Sequence, residues 1–222
     1  MTQPIVHDPV RVLVVDDHPI VREGIRRRVE AQSDMTVVCE AGRDSDAMAC
    51  LNAQPVDAAI IDISLEGRSG IDLIKQIRAA KYTFPILVLS VHDEVIYAQR
   101  SLSAGAQGYL LKSEAPSQIV KALRSVLAGE YFVSERMANS LFAQLGRRDR
   151  VDVEVASLSD RELEVLTAVG EGRSTREIAT ALSLSLSTIE TYKARIKVKL
   201  GLPSAAALAS YAATWVSRRK PQ

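Results

Sequence analysis

The sequence predicts an α/β chain: a doubly wound, five-stranded parallel sheet followed by a small all-α unit. Three observations lead there. Five short apolar runs alternate with helical patterns through the first 130 residues, the rhythm of β-α units. The runs are too short and too uniformly apolar for half-exposed strands, so they read as strands buried on both faces. Beyond residue 155 no strand signal remains, and three S-x-x-E patterns follow one another closely.

The expected strands are Arg11–Val15, Thr36–Glu40, Ala58–Ile61, Pro85–Leu89 and Gly108–Leu111. Each precedes a helical stretch: Pro19–Ala31, Asp44–Gln54, Gly70–Ala80, Glu94–Ala104 and Pro116–Ala128. Pro19 suits a first helical turn. Val21, Ile25 and Val29, then Ile71, Ile74 and Ile77, then Ile119, Leu123 and Leu127 supply apolar faces. Gly129 reads as a helix stop. One more helix is expected over Ser134–Leu145, and the charged stretch Gly146–Val155 reads as a linker. The organisation is thus a sheet domain over 9–130, a linker with a helix over 131–155, and a helical domain over 156–220.

In the last domain Ser159/Glu162, Ser174/Glu177 and Ser187/Glu190 each form a potential capping box. Gly172 and Gly201 sit where helices should stop. A fourth helix, Ala205–Ser217, puts Leu208, Tyr211, Ala212 and Trp215 on one face. Only Ser183–Ser187 separates the second helix from the third, the spacing of a helix-turn-helix whose later helix enters the major groove. On that helix, Thr188–Leu200, Ile189, Lys193, Ile196 and Leu200 fall near one direction, and all of them but Lys193 are core. Glu190, Thr191, Ala194, Lys197 and Val198 point away. Any amphipathic helix has a polar outer face; the tight turn and the run Lys193, Arg195, Lys197, Lys199 make this one a DNA reader. Lys193, Arg195 and Lys197 are expected on phosphates and Thr191 and Ala194 on thymine methyls. Glu190 either closes the box with Ser187 or accepts from a cytosine amino group. The regularity of the boxes favours the cap. The alanines of the last helix, with Ala206, Ala209 and Ala213 among them, suit close approach of a two-fold mate on DNA.

Composition bounds the rest. The hydrophobic share is 47%, ordinary for a soluble domain, and no apolar run nears a membrane span. The N-terminus lacks a secretory pattern. Cys39 and Cys50 are expected as reduced core residues of a cytoplasmic protein. Residues 1–130 hold 14 Lys and Arg against 17 Asp and Glu. Residues 155–222 hold 10 against 6, a basic balance suited to nucleic acid.

The chemistry lies at the strand ends. The first run ends in Asp16-Asp17, the third in Asp62, the fourth in Ser90 and the fifth in Lys112. Alone, an Asp after a strand is usually a turn former. Here every polar group falls at the carboxyl end of its strand, where open α/β sheets bind ligands. Three adjacent carboxylates need a proton or a cation among them, and all-oxygen ligands beside a phosphate suit Mg²⁺. Asp62 is then the candidate nucleophile for a phosphoryl group, Lys112 its counter-charge and Ser90 a hydrogen-bond donor.

These motifs resemble a known family. Val-Val-Asp16-Asp17-His-Pro, Ile-Ile-Asp62, Val-Leu-Ser90 and Gly-Tyr109-Leu-Leu-Lys112 resemble the flavodoxin-like receiver domain of two-component response regulators. Leu158–Leu166, Glu177-Ile-Ala179 and Ser187-Thr-Ile-Glu-Thr-Tyr192 resemble the LuxR-type helix-turn-helix. Together they look like the NarL/FixJ family over nearly the whole chain. The resemblance implies a transcription regulator, not an enzyme, phosphorylated on Asp62 by a sensor histidine kinase and binding DNA as a homodimer. It implies Mg²⁺ on Asp17, Asp62 and the Ser64 carbonyl, with Asp16 reaching it through water, and Ser90 and Tyr109 as paired switch residues. Two positions depart from many receivers: Leu65-Glu66-Gly67 replaces Met-Pro-Gly, and Ser113 replaces a proline. Many relatives also carry Lys where this chain has Glu190.

Two other readings are weaker. A haloacid-dehalogenase-like phosphatase would carry an Asp two residues after the nucleophile, where this chain has Ser64. A pseudo-receiver would keep the carboxylates unused.

Overall fold

Five parallel strands, β1 (Val10–Val15), β2 (Met35–Ala41), β3 (Ala58–Asp62), β4 (Ile86–Ser90) and β5 (Gly108–Leu111), form one sheet in the order β2-β1-β3-β4-β5. The computed structural model describes residues 8–65, 69–91, 95–135, 137–139, 155 and 157–217. The chain divides into two units, Met1–Asn139 and Ser140–Gln222. All residues of β3 and β4 are buried, which explains their unbroken apolar runs.

Helices α1 (Pro19–Glu30), α2 (Asp44–Ala53), α3 (Gly70–Ala79), α4 (Val95–Ala104) and α5 (Ala115–Leu127) connect the strands. Strand residues alternate between the faces. Val12, Val14, Ala58, Ile60, Leu87, Leu89 and Leu110 meet Ile25 and Val29 of α1 and Ile119, Leu123 and Val126 of α5. Leu13, Val15, Ala59, Ile61 and Val88, pointing the other way, are also buried. Helix α1 packs on α5, and α3 packs on both α2 and α4. The ends of the sheet unit's expected elements shift by at most one residue, Glu94, the expected start of α4, lying outside the described residues. Phe132 adds a contact no pattern announced: it accepts from Tyr109 N–H (2.8 Å) and donates to Gln107 O (3.0 Å), bridging to β5. The Lys112–Ser113 peptide is trans.

Ser134 starts a helical turn, its hydroxyl accepting from Met137 N–H at 3.2 Å. The expected helix beyond Asn139 and the stretch through residue 154 lie outside the described residues, as does Glu66.

The cysteine expectation is corrected. Cys39 on β2 and Cys50 on α2 are half-buried rather than core. They are joined as a disulfide across a Cα separation of 6.4 Å, within the usual range for such a bridge. Their side chains meet because α2 packs on β2.

The second unit consists of α6 (Asp160–Gly170), α7 (Thr175–Ala181), α8 (Leu186–Lys199) and α9 (Ala205–Ser217). Leu163, Leu166, Ile178, Ile189, Ile196, Leu208, Ala212 and Trp215 are its buried residues of note. The Ser159/Glu162 and Ser174/Glu177 boxes both form. The third does not. Helix α8 is capped by Ser185, whose hydroxyl accepts from Thr188 N–H at 3.1 Å, and it begins two residues earlier than expected. Ser187 Oγ instead lies 2.7 Å from Ser185 Oγ. The cause is the preceding turn. Ser183 takes the left-handed conformation (φ 52°) and Leu184 N–H returns to Ala179 O, so α7 ends abruptly and Ser185 is placed first for capping. Among the described residues no helix is long and apolar enough to cross a membrane.

Candidate functional site

The strand order places β1 beside β3, the switch point where doubly wound sheets open a crevice at the carboxyl ends. In register, Val15 sits beside Ile61, Asp62 beside Leu89, and Ser90 beside Leu111. The residue after β1 is therefore Asp16, the last of β3 is Asp62, the last of β4 is Ser90, and the residue after β5 is Lys112. The sequence-predicted set converges on one rim.

Lys112 Nζ lies 2.7 Å from Asp62 Oδ2 and 2.7 Å from Asp16 Oδ2. Asp16, Asp62 and Ser90 are buried, as is Tyr109. Burial pushes the Asp62 carboxyl up to about 7; Lys112 pulls it down and Asp16 pushes it up again. Burial draws Lys112 down, but Asp62 and Asp16 outweigh it and hold the ammonium above its ordinary value. Asp62 Oδ1 is buried and makes no hydrogen bond of good geometry among the described residues, although the Ser64 backbone N–H also helps draw the carboxyl down. Such an atom carries a desolvation penalty that a cation or an incoming group would relieve.

Ligand atoms of Asp16, Asp17, His18 and Asp62 lie within 4.8 Å of one another. Oxygen-rich donors this close, with one buried oxygen unpartnered, fit a hard divalent cation. His18 is an addition to the expected set. Its Nδ1 is 2.6 Å from Asp17 Oδ1 and 3.4 Å from Asp16 Oδ1, and its position next to Asp17 was the available signal. Ser64 is half-buried and bridged to Ser69 across the loop after β3.

Gly70 was read only as a helix start. Its N–H donates to Ile63 O at 2.6 Å, and a Cβ there would lie 1.9 Å from the Asp62 carbonyl oxygen. Residue 70 can lie this close to the Asp62 backbone only because it has no side chain.

On α8 Ile189 and Ile196 are buried and Glu190, Thr191, Ala194 and Val198 are exposed, while Leu200, expected in the core, and Lys197, expected outward, are both half-buried. Thr188 is half-buried. The basic run divides. Lys199 Nζ bonds Glu162 Oε2 (2.6 Å) and Ser157 O (3.2 Å), tying α8 to the cap of α6. Lys193 Nζ bonds Thr175 Oγ1 at 2.5 Å and lies 3.3 Å from Glu190 Oε1. Among the described residues Arg195 and Lys197 make no ion pair. Lys193, expected on a phosphate, is thus turned toward α7. On α9 Ala206, Ala209 and Ala213 are exposed along one stripe while Ala212 is buried, so the outward alanines are not part of the core.

Comparison with known proteins gives two family matches. Residues 12–124 match the response regulator receiver domain, and residues 156–212 match the bacterial regulatory proteins of the luxR family. The response regulator UvrY of Escherichia coli K12 is 34% identical over 193 residues, covering 87% of this chain and 88% of that protein. The Fimbriae Z protein of Salmonella typhimurium is 36% identical, covering 92% and 96%. Among solved structures, RcsB from Salmonella enterica serovar Typhimurium, bound to promoter P1flhDC in the presence of the phosphomimetic BeF3⁻, superposes with a TM-score of 0.61. It has 29% identity, over 93% of this chain and all of that one.

Proposed function

The chain belongs to the NarL/FixJ family of response regulators, a receiver domain followed by a LuxR-type DNA-binding domain, and from that premise we propose how its residues carry out phosphorylation-dependent transcription regulation. Asp62 accepts a phosphoryl group from the phosphohistidine of a sensor histidine kinase in the cytoplasm. The observation that carries this is the buried, unpartnered Asp62 Oδ1 beside an Oδ2 already held by Lys112. One oxygen is fixed and the other is left to attack phosphorus in line.

Asp16, Asp17, Asp62 and the Ser64 carbonyl would hold Mg²⁺, which when bound offsets charge on the phosphoryl oxygens and on the carboxylates. Lys112 supplies a point charge to the transferred group. Ser90, at the end of the neighbouring strand, donates to the new phosphoryl oxygen. Tyr109, on the next strand, follows the hydroxyl and passes the change to the β4–β5 side of the domain. The protein catalyses no turnover of other substrates; it accepts the group and holds it.

In the second unit α8 enters the major groove. Arg195 and Lys197 contact phosphates, and Thr191 and Ala194 meet thymine methyls. Thr191 Oγ1 donates to Ser187 O at 2.9 Å, which occupies its hydrogen and suits its methyl for apolar contact. Two copies pair on DNA through Ala206, Ala209 and Ala213 of α9. The deciding experiment is intact mass after acetyl phosphate with Mg²⁺. One stable phosphoryl adduct, lost in Asp62→Asn, is expected. Continuous release of phosphate would make the protein a phosphatase, and no adduct would make it a pseudo-receiver.

A further inference from the structure

The failed capping box on α8 frees Glu190 for another task. Its backbone-capping partner would have been Ser187, but Ser185 caps the helix. The Glu190 side chain is 61% exposed, and Oε1 accepts from Thr175 Oγ1, the first residue of α7, at 2.9 Å. The ammonium of Lys193 touches both. Thr175 first, and then Lys193 with Lys197, holds the carboxylate below its ordinary range against its partial desolvation. It is a fixed ion, because its donors come from two different helices. Among the described residues Oε2 has no hydrogen-bond partner.

The neighbours of Glu190 determine what it can recognise. Along the outward stripe Thr191, Ala194 and Val198 follow, all exposed, with Val198 at 82%. The Thr191 hydroxyl hydrogen is taken by Ser187 O. The nearest cation, Lys193, has only 19% of its side chain exposed and is engaged by Thr175 and Glu190. The stripe therefore offers one strong acceptor among methyl groups, with Lys197, whose charge also reaches Glu190, beside it. Guanine presents two acceptors in the major groove and would be repelled. Adenine presents its amino group beside the N7 acceptor. Cytosine presents an amino donor with no acceptor next to it on that edge.

We propose that Glu190, braced by Thr175, is the sequence-selecting residue of α8, accepting from the amino group of a cytosine, and that Lys193 is its counter-ion rather than a phosphate contact. The assignment rests on the reading that α8 enters the major groove. Thr175 is a positioning residue: it touches the reader and not the base. The recognised site is a C·G pair with thymine methyls alongside, set against Thr191 and Ala194.

Selection of binding sites from random DNA by the phosphorylated full-length protein tests this. The parent should return one position fixed as C·G. Glu190→Gln, whose amide can both donate and accept, should move that position toward A·T by about tenfold or more. Glu190→Ala should leave it unselected while the other positions persist. Thr175→Val should weaken selection at that position alone, and Thr175→Ser should restore it. Lys193→Gln should weaken the same position and leave the salt dependence of affinity unchanged, whereas Lys197→Ala should lower the slope by about one. The same motif from parent, Glu190→Gln and Glu190→Ala overturns the proposal and leaves the groove placement of α8 standing. A slope lowered by Lys193→Gln as much as by Lys197→Ala overturns the counter-ion role. If the parent selects no sequence and substitutions across the α8 stripe change nothing, both the proposal and the underlying reading fail.

Discussion

Replacing Asp62 with Asn should stabilise the receiver unit while abolishing its phosphorylation. In the folded protein the Asp62 carboxyl is raised from 3.8 to about 7 by burial and by Asp16, against the pull of Lys112. A carboxyl with a raised folded value binds its proton more tightly folded than unfolded. Its contribution to stability is whole below about pH 4, falls as pH rises toward 7, and is flat above. A rise from 3.8 to about 7 corresponds to roughly 4 kcal/mol. Relaxation around the buried charge reduces this to between roughly 2 and 4 kcal/mol. Asn mimics the protonated form, so the variant should match the parent near pH 4 and exceed it by that amount at pH 8. Urea unfolding at a series of pH values measures the difference. Trp215 is the chain's one tryptophan and lies in α9, so the receiver transition is followed by far-UV circular dichroism and tyrosine emission. Added Mg²⁺ should raise the parent's midpoint at pH 8 more than the variant's, since it binds the folded carboxylates. A variant less stable than the parent at pH 8, or a gain independent of pH, would refute the electrostatic account of this site.

Gly70→Ala should destabilise the receiver by about 3 kcal/mol, because the added Cβ meets the Asp62 carbonyl at 1.9 Å. The same change should slow phosphoryl uptake, and urea midpoints with adduct mass check both. Lys112→Ala should still take up a phosphoryl group, since the nucleophile remains, but gel shifts should show a weaker phosphorylation-dependent gain in DNA affinity. Ala206→Leu and Ala213→Leu, on the exposed stripe of α9, should leave the unfolding free energy within about 0.5 kcal/mol of the parent yet reduce cooperative binding to a two-fold operator. Unchanged affinity and stoichiometry in both would reject that surface as the dimer contact. Thiol titration of the unfolded chain should find neither Cys39 nor Cys50 before reduction and both after it, and free thiols in the untreated protein would contradict the pairing.

The receiver site was readable because each contribution is local. A buried parallel strand shows as an apolar run, and the polar residue ending it must lie on the carboxyl rim; Asp16, Asp62, Ser90 and Lys112 each follow from their own strand. Ser159/Glu162 and Ser174/Glu177 were readable for the same reason, since a capping box is complete within four residues. The misreadings arose where two segments decide jointly. Cys39 and Cys50 are neighbours only because α2 lies on β2. Gly70 is required by the Asp62 carbonyl, against which it packs too closely for a side chain. Ser187 and Glu190 have the spacing of a box, but Ser183, Ser185 and Ser187 compete for one helix start, and the left-handed turn at Ser183 decides for Ser185. Glu190 then bonds a hydroxyl fifteen residues away on another helix, a pairing that no periodicity encodes. Lys193 lies on the same side of the helix as Ile189 and Ile196, and its ammonium reaches Thr175 of α7 as well as Glu190. The wheel places Lys193 correctly on the inward side; the phosphate role expected of it is what the bond to Thr175 speaks against. The outward face of α8 is consequently less basic than its composition implies, which is why the proposed selectivity is placed on the carboxylate.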